Sequence, residues 1–330
     1  MDLVGRAREL AALDAALARA ATGARQLVLI SGEPGIGKTS LVEAFRSAAV
    51  GAGATWLSGA AWEGGAPSYW PWMQVVRAAE RSAPEEVRRQ AAALGPLGPD
   101  GSAAAVDRFV LHDAVADLVL ALAGSGPVVV ALEDLHVAGP STAELLEDVY
   151  RATAGAPVVL VATYRPAEVA AAPGTAEVVS RLEGAGTVLD PRPLGDAEVV
   201  SVLTAQGLTA DPPLVDSVLE RTQGNPLFVV HTARGLAAGG SAAETGLPLG
   251  LRNALRRQAA IAGEGAEDVL EAAAVLGEEL TAATLAATTG REPAEVQVIL
   301  DRAVGLRLLR RDATGRHAFT HALVREAVYD

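Results

Sequence analysis

One eight-residue stretch constrains this chain of 330 residues more than any other: Gly32-Glu33-Pro34-Gly35-Ile36-Gly37-Lys38-Thr39. It sits between the apolar run Gln26 to Ile30, which predicts a buried strand, and the segment Lys38 to Val50, which predicts a helix. Its glycines let backbone wrap closely around an anion with several N–H groups aimed at one point. The positive end of the following helix adds to that attraction. The spacing is that of the Walker A phosphate loop. In that pattern Lys38 reaches the β- and γ-phosphates of a nucleotide and the Thr39 hydroxyl ligates Mg²⁺, with Ser40 next in line. Lys38 is the only lysine in the chain, while 26 of its basic residues are arginine. A lysine retained against that bias carries more information than one among many.

A second signal follows about a hundred residues later. Val128-Val129-Val130-Ala131-Leu132 predicts a fully buried strand that delivers Glu133 and Asp134 at its carboxyl end. Ligands of open α/β sheets bind at that end of the strands. This is the Walker B arrangement: one acid holds Mg²⁺, usually through water, and the next orients or deprotonates the attacking water. By position Glu133 is the metal-side acid and Asp134 the catalytic one, and the reverse assignment stays open. The strand Val158 to Thr163 ends in Tyr164-Arg165-Pro166. A polar or cationic residue at such a tip can sense the γ-phosphate, and Arg165 fits that role.

Short apolar strands alternate with helices up to about residue 190, predicting a parallel sheet covered on both faces. The expected helices include Ala7 to Ala21, Trp72 to Arg81, Ala104 to Leu122 and Ser141 to Thr153. The stretch from Gly95 to Gly101 reads as a loop. Beyond that point come helices at Gly195 to Gln206, Pro213 to Arg221 and Pro226 to Ala238, then a soft linker, Gly239 to Ala243. Further helices from Leu249 lead to a two-strand signal, Leu306 to Arg311 and His317 to Phe319. The expected domains are a P-loop domain over 1–192, a helical lid over 193–245 and a winged-helix-like domain over 246–330.

Composition removes several alternatives. There is no cysteine, so disulfides, thiol catalysis and thiolate metal sites are excluded. A net charge of −13 disfavours non-specific nucleic-acid binding by the segment as a whole. His317 and His321 alone stand at i, i+4, and the plain reading of that pair is a strand end followed by a helix start. No apolar stretch reaches membrane-spanning length, and the amino terminus lacks the apolar core of a signal peptide. A cytoplasmic protein without a membrane partner is the expectation.

With these residues in place, the chain resembles the STAND branch of the AAA+-like P-loop ATPases. It is most similar to the ATPase region of the large ATP-binding LuxR-type transcriptional regulators of actinobacteria. Leu3-Val4-Gly5-Arg6-Ala7-Arg8-Glu9-Leu10 looks like the family's "VGRE" opening, with Ala7 in place of the usual Glu. Tyr69-Trp70-Pro71-Trp72 resembles an aromatic stretch of these regulators, and Trp62 precedes it. Leu132-Glu133-Asp134-Leu135-His136-Val137-Ala138 resembles "LDDLHWAD", with Val137 where Trp is usual and Gly139 where Asp is usual. Gly224-Asn225-Pro226-Leu227-Phe228 matches "GNPL", and Phe319 to Tyr329 looks like the family's closing segment.

The resemblance implies that Val4, Gly5 and Arg6 surround the adenine and that Pro226 contacts nucleotide from the lid. It implies that His321 can touch the ADP phosphate in a closed state, beside the equal alternative of a helix-capping or core histidine. It further implies an ATP/ADP-dependent switch with slow, regulatory hydrolysis and Mg²⁺, self-associating in the ATP state. DNA would be bound only through a domain absent from this chain, which would then be a fragment or a short member. Two other readings stay open. One is an origin-binding-type AAA+ ATPase acting on DNA, for which Arg302, Arg307, Arg310, Arg311 and Arg316 near the hairpin are opposed by Glu264, Glu267, Asp268, Glu271, Glu278 and Glu279. The other is a P-loop small-molecule kinase, for which only the segment Trp62 to Trp72 offers a candidate acceptor pocket.

Overall fold

The computed structural model describes residues 3–61, 67–82, 108–239, 249–277, 280–306, 308–312, 315–319 and 322–329. Trp62, the loop 95–101, the first residues of the helix expected from 104, most of the linker 239–243, Glu278, Glu279, Arg307 and His321 lie outside them. The chain forms two compact units. The first comprises Met1–Gly32 and Lys38–Pro191, and the second Glu33–Gly37 and Arg192–Asp330.

The first unit is built on five parallel strands: β1 (Gln26–Ser31), β2 (Thr55–Ala60), β3 (Val128–Glu133), β4 (Val158–Tyr164) and β5 (Thr187–Leu189). Their order across the sheet is β2-β3-β4-β1-β5. The sequences of β3 and β4 are almost unbroken runs of Val, Leu and Ala, as a sheet buried on both faces requires. Alternation divides each strand between two cores. Val28, Ile30, Val129, Ala131, Val159 and Val161 face α1 (Ala7–Ala21) and α2 (Lys38–Gly51), where Leu13, Leu41 and Phe45 close the layer. Leu27, Leu29, Val128, Val130, Leu132, Val158 and Leu160 face the other way. That side is covered by α3 (Trp70–Ser82), α4 (Arg108–Ala123), α6 (Pro140–Ala152) and α8 (Pro173–Ala185). Two short helices, α5 (Leu135–Ala138) and α7 (Pro166–Ala170), follow directly on the ends of β3 and β4.

The sequence expectations for the strands and for α1 agree with this layout to within a few residues. The segment 166–189, where the sequence signals no element, holds α7, α8 and the three-residue strand β5. Pairing of β5 with β1 over Val28↔Thr187 to Ile30↔Leu189 places β1 between β4 and β5.

Helices make up most of the second unit: α9 (Asp196–Ala205), α10 (Pro212–Thr222), α11 (Pro226–Ala237), α12 (Leu249–Ile261), α13 (Ala266–Leu276), α14 (Ala282–Thr289) and α15 (Pro293–Gly305). An antiparallel pair, β6 (Leu309–Arg311) and β7 (His317–Phe319), and α16 (Ala322–Tyr329) end it. The helix starts are written in the sequence. Pro212, Pro226 and Pro293 occupy first turns, where a missing N–H costs nothing. Asp211 and Thr281 accept from Leu214 N and Thr284 N at 3.0 and 3.1 Å.

In the first unit, β2 and α3 approach so closely that a Cβ on Gly59 would lie 2.0 Å from the Pro71 carbonyl oxygen. Gln74 Nε2 also donates to the Ala60 carbonyl at 2.7 Å, fixing the same contact. Gly59→Ala is therefore expected to cost about 1–3 kcal/mol, the usual penalty of overpacking. Denaturant unfolding checks it; an unchanged midpoint would refute the close approach.

Candidate nucleotide-binding site

Within the first unit, the carboxyl ends of β1, β3 and β4 carry the polar residues. Lys38, at the start of α2, is only 7% exposed, and its Nζ donates to the Gly32 carbonyl at 2.7 Å. Burial of an ammonium is costly unless it is hydrogen-bonded, and this bond holds the charge at the mouth of the loop. Gly32 in turn donates its N–H to the Tyr164 carbonyl at 3.2 Å, tying the loop to the end of β4. Thr39 and Ser40 are exposed on the first turn of α2.

The Thr39 hydroxyl is hydrogen-bonded to the Glu133 carboxylate. Burial raises the proton affinity of Glu133 above the usual carboxylate range; the Thr39 bond opposes that shift, and the negative charges of Asp134 and Glu43 add to it. Asp134 follows in a left-handed conformation, φ 59° and ψ 49°, which is strained for a residue with a side chain. Its N–H donates to Thr163 Oγ1 at 3.0 Å. Thr39, Glu133 and Asp134 together supply hard oxygen donors beside the lysine, a set that fits Mg²⁺. Among the described residues no group of three or more histidine or acidic side chains forms a ready-made metal cage.

Arg165 caps the end of β4 and donates from Nη1 to Glu168 Oε1 at 2.6 Å. The other Glu168 oxygen lies 3.4 Å from His136 Nε2. The His136 side chain is fully buried. Burial first, then the positive charges of Arg165 and Lys38, push its pKa down to about 3, so it is neutral at physiological pH. Lys38, Thr39, Glu133, Asp134 and Arg165 are thus gathered in one cluster. Sequence reasoning missed Thr163, His136 and Glu168 in it. Thr163 could have been found as the one polar interruption in the apolar run of β4, 1% exposed.

The tip of the loop, Glu33–Gly37, belongs to the second unit. There Asn225 Nδ2 donates to the Pro34 carbonyl at 3.0 Å, and Leu227 N donates to the Gly35 carbonyl at 3.2 Å. Pro226 is the first residue of α11 between those two contacts. Ile36 is buried, and a Cβ on Gly37, whose φ is +99°, would meet no atom within 4 Å. Val4, Gly5 and Arg6 form the turn into α1, with Gly5 at φ 72° and Arg6 only 3% exposed.

Two expectations follow from the first-unit cluster. Thr163→Val removes the acceptor for Asp134 N and is expected to destabilise by about 1–3 kcal/mol, whereas Thr163→Ser keeps the bond. Equal denaturation midpoints for the two variants would contradict the assignment. The second concerns pH. Unfolded His136 takes up a proton below its ordinary 6.5, but folded His136 does so only near 3. The unfolded state therefore binds the extra proton across that window, and stability falls as pH drops from 6.5 towards 3. Denaturant midpoints at pH 7 and pH 5 should differ more for the wild type than for His136→Gln.

Comparison with known proteins bears on the fold. Residues 2–161 match the AAA ATPase domain family. No curated protein matches the chain significantly. Among solved structures, the Aeropyrum pernix ORC2 protein, determined as ADPNP and ADP complexes, is 17% identical, with 99% of this chain and 94% of that one covered and a TM-score of 0.62. Cdc6p from Pyrobaculum aerophilum is 13% identical over 100% of this chain and 94% of that one, with a TM-score of 0.47. A STAND protein with a tetratricopeptide repeat sensor from Pyrococcus horikoshii is 16% identical over 99% of this chain and 42% of that one, with a TM-score of 0.45. The fold, a parallel five-stranded sheet flanked by helices, is the P-loop AAA+ fold.

Proposed function

We propose that this chain binds ATP and ADP with Mg²⁺ and acts as a nucleotide-controlled conformational switch with slow hydrolysis. The convergence of Lys38, Thr39, Glu133 and Asp134 on one edge of the sheet carries this reading. Lys38 binds the β/γ-phosphate charge, and Gly35 and Gly37 carry no side chain that would block an approaching phosphate. Thr39 and Glu133, already hydrogen-bonded to each other, hold the metal, and the ion when bound neutralises charge on the phosphates. Asp134, fixed by Thr163 through its own N–H, orients and deprotonates the attacking water. Arg165 senses the γ-phosphate, with Glu168 setting its orientation. Residues 193–245 act as the lid, with Pro226 next to the nucleotide, and 246–330 as the winged-helix-like part.

The resemblance to ATP-binding LuxR-type regulators supports reading this activity as that of the ATPase part of a bacterial transcriptional regulator. In that setting the ATP form self-associates, and DNA is contacted through a separate domain. One observation favours a second reading. The likeness to the ORC2 protein runs over nearly the full length of both chains, as an origin-binding-type ATPase would predict. The net charge of −13 speaks against DNA binding by this segment. No described helix is long and apolar enough to cross a membrane.

Nucleotide titration and single-turnover hydrolysis test the proposal together. Lys38→Ala is expected to weaken ATP binding about 100-fold, the loss of a charge-assisted contact. Asp134→Asn should keep ATP affinity and lower turnover by about 10²–10⁴, while Glu133→Gln should lose its response to Mg²⁺. Wild-type affinity in Lys38→Ala would overturn nucleotide binding at this loop. Tight, steeply salt-dependent DNA binding would favour the origin-type reading.

A further inference from the structure

The tip of the phosphate loop is a reverse turn of defined type. Ile36 N donates to the Glu33 carbonyl at 3.3 Å, with Pro34 at the second position and Gly35 at the third with φ +79°. That combination is a type II turn. Type I and type II differ by a flip of the central peptide, here Pro34–Gly35. In a trans peptide the C=O and the following N–H point in opposite directions. Whatever holds the Pro34 carbonyl therefore also aims the Gly35 N–H.

Asn225 holds it. Its Nδ2 donates to the Pro34 carbonyl at 3.0 Å, while its Oδ1 accepts from Leu227 N at 3.2 Å and caps α11. Leu227 N is shared with the Gly35 carbonyl, also at 3.2 Å. The amide can face only one way, since a flip would set its oxygen against the Pro34 oxygen. Asn225 is 6% exposed, so water does not readily replace these bonds. Gly35 is required twice over, by its positive φ and because a Cβ there would lie 2.8 Å from Asn225 Oδ1.

We infer that Asn225 is a positioning residue for nucleotide binding: it latches the start of α11 to the Pro34–Gly35 peptide and so orients the loop amides for phosphate. This deepens the nucleotide-binding reading and rests on it, and it assigns Asn225 a task separate from capping a helix. Asp and Ser cap helices about as well as Asn. Neither can reproduce the donation: an aspartate carboxylate in place of the amide would present an oxygen to the Pro34 carbonyl, and a serine hydroxyl does not reach it.

The test compares wild type, Asn225→Asp, Asn225→Ser and Lys38→Ala in the full chain. Two quantities are read: hydrogen exchange of the amides at 35–37 without nucleotide, and the ATP dissociation constant. Both Asn225 variants should leave exchange within α11 and the melting midpoint near wild type. They should speed exchange at 35–37 and weaken ATP binding, each by about tenfold, the weight of one hydrogen bond. Wild-type exchange at 35–37 in both variants, or accelerated exchange spreading through α11, would overturn the latch. Wild-type ATP affinity in both variants would overturn its role in binding. If wild type and Lys38→Ala bind ATP equally, the nucleotide reading itself falls, and with it the role in binding; the exchange data, taken without nucleotide, then decide the latch alone.

Discussion

The arrangement of the site depends on β4 lying between β1 and β3. Adjacent strands of a sheet are held about 4.8 Å apart by their hydrogen bonds. One intervening strand therefore sets the loop that follows β1 roughly 10 Å from the acids that follow β3. The register Ile30↔Thr163 and Ser31↔Tyr164 brings the ends of β1 and β4 level. Tyr164 can then receive the Gly32 N–H on one side, while Thr163 receives the Asp134 N–H on the other. A sheet with β1 directly against β3 would have neither anchor and no space between lysine and carboxylates.

That spacing also settles the electrostatics. Lys38 and Arg165 on one side, and Glu133, Asp134 and Glu168 on the other, are all drawn out of bulk water. In such surroundings each charge is stable only if others offset it. Glu168 offsets Arg165, and Gly32 offsets Lys38. Burial first, then the negative charges of Asp134 and Glu43, raise the proton affinity of Glu133. His136, kept neutral by burial and by the charges of Arg165 and Lys38, adds no third positive charge to the cluster. The excess of negative charge is local, and a divalent cation held by Thr39 and the two acids would offset it.

Local chemistry was legible in the sequence, whereas chemistry created by pairing was not. Gly32 to Thr39 and Glu133-Asp134 carry their own spacing and can be read from short windows. Thr163 is a plain threonine until β4 is known to lie beside β3, and beside it the charge of Arg165 drew attention first. His136 likewise became notable only once α5 and α7 enclosed it. The segment 166–189 hid its structure for a different reason. The apolar stripe of α8, Val178, Val179 and Leu182, is short and follows a Pro-Gly start, and β5 has three residues, too few for any alternation to register. Family resemblance pointed to Pro226, but the contact of Asn225 with Pro34 spans 191 positions of sequence, and nothing local announces it.

A latch of this size has a definite limit as a switch. Moving a two-state equilibrium from 1:99 to 99:1 requires about 5.5 kcal/mol of differential binding. One amide–carbonyl bond supplies only about 0.5–1.5 kcal/mol. Asn225 can thus set how readily the loop accepts phosphate, yet it cannot by itself reverse the population of two states. The remaining several kcal/mol must come from contacts made to nucleotide in one state and not in the other. On the proposed reading Lys38 would be a poor source, since its grip on the phosphates would be available to ATP and ADP alike. The γ-phosphate is the sole chemical difference between the two nucleotides. On the proposed reading, Arg165 at the tip of β4 would sense that group, and its contact with Glu168 is the one that sensing would compete with.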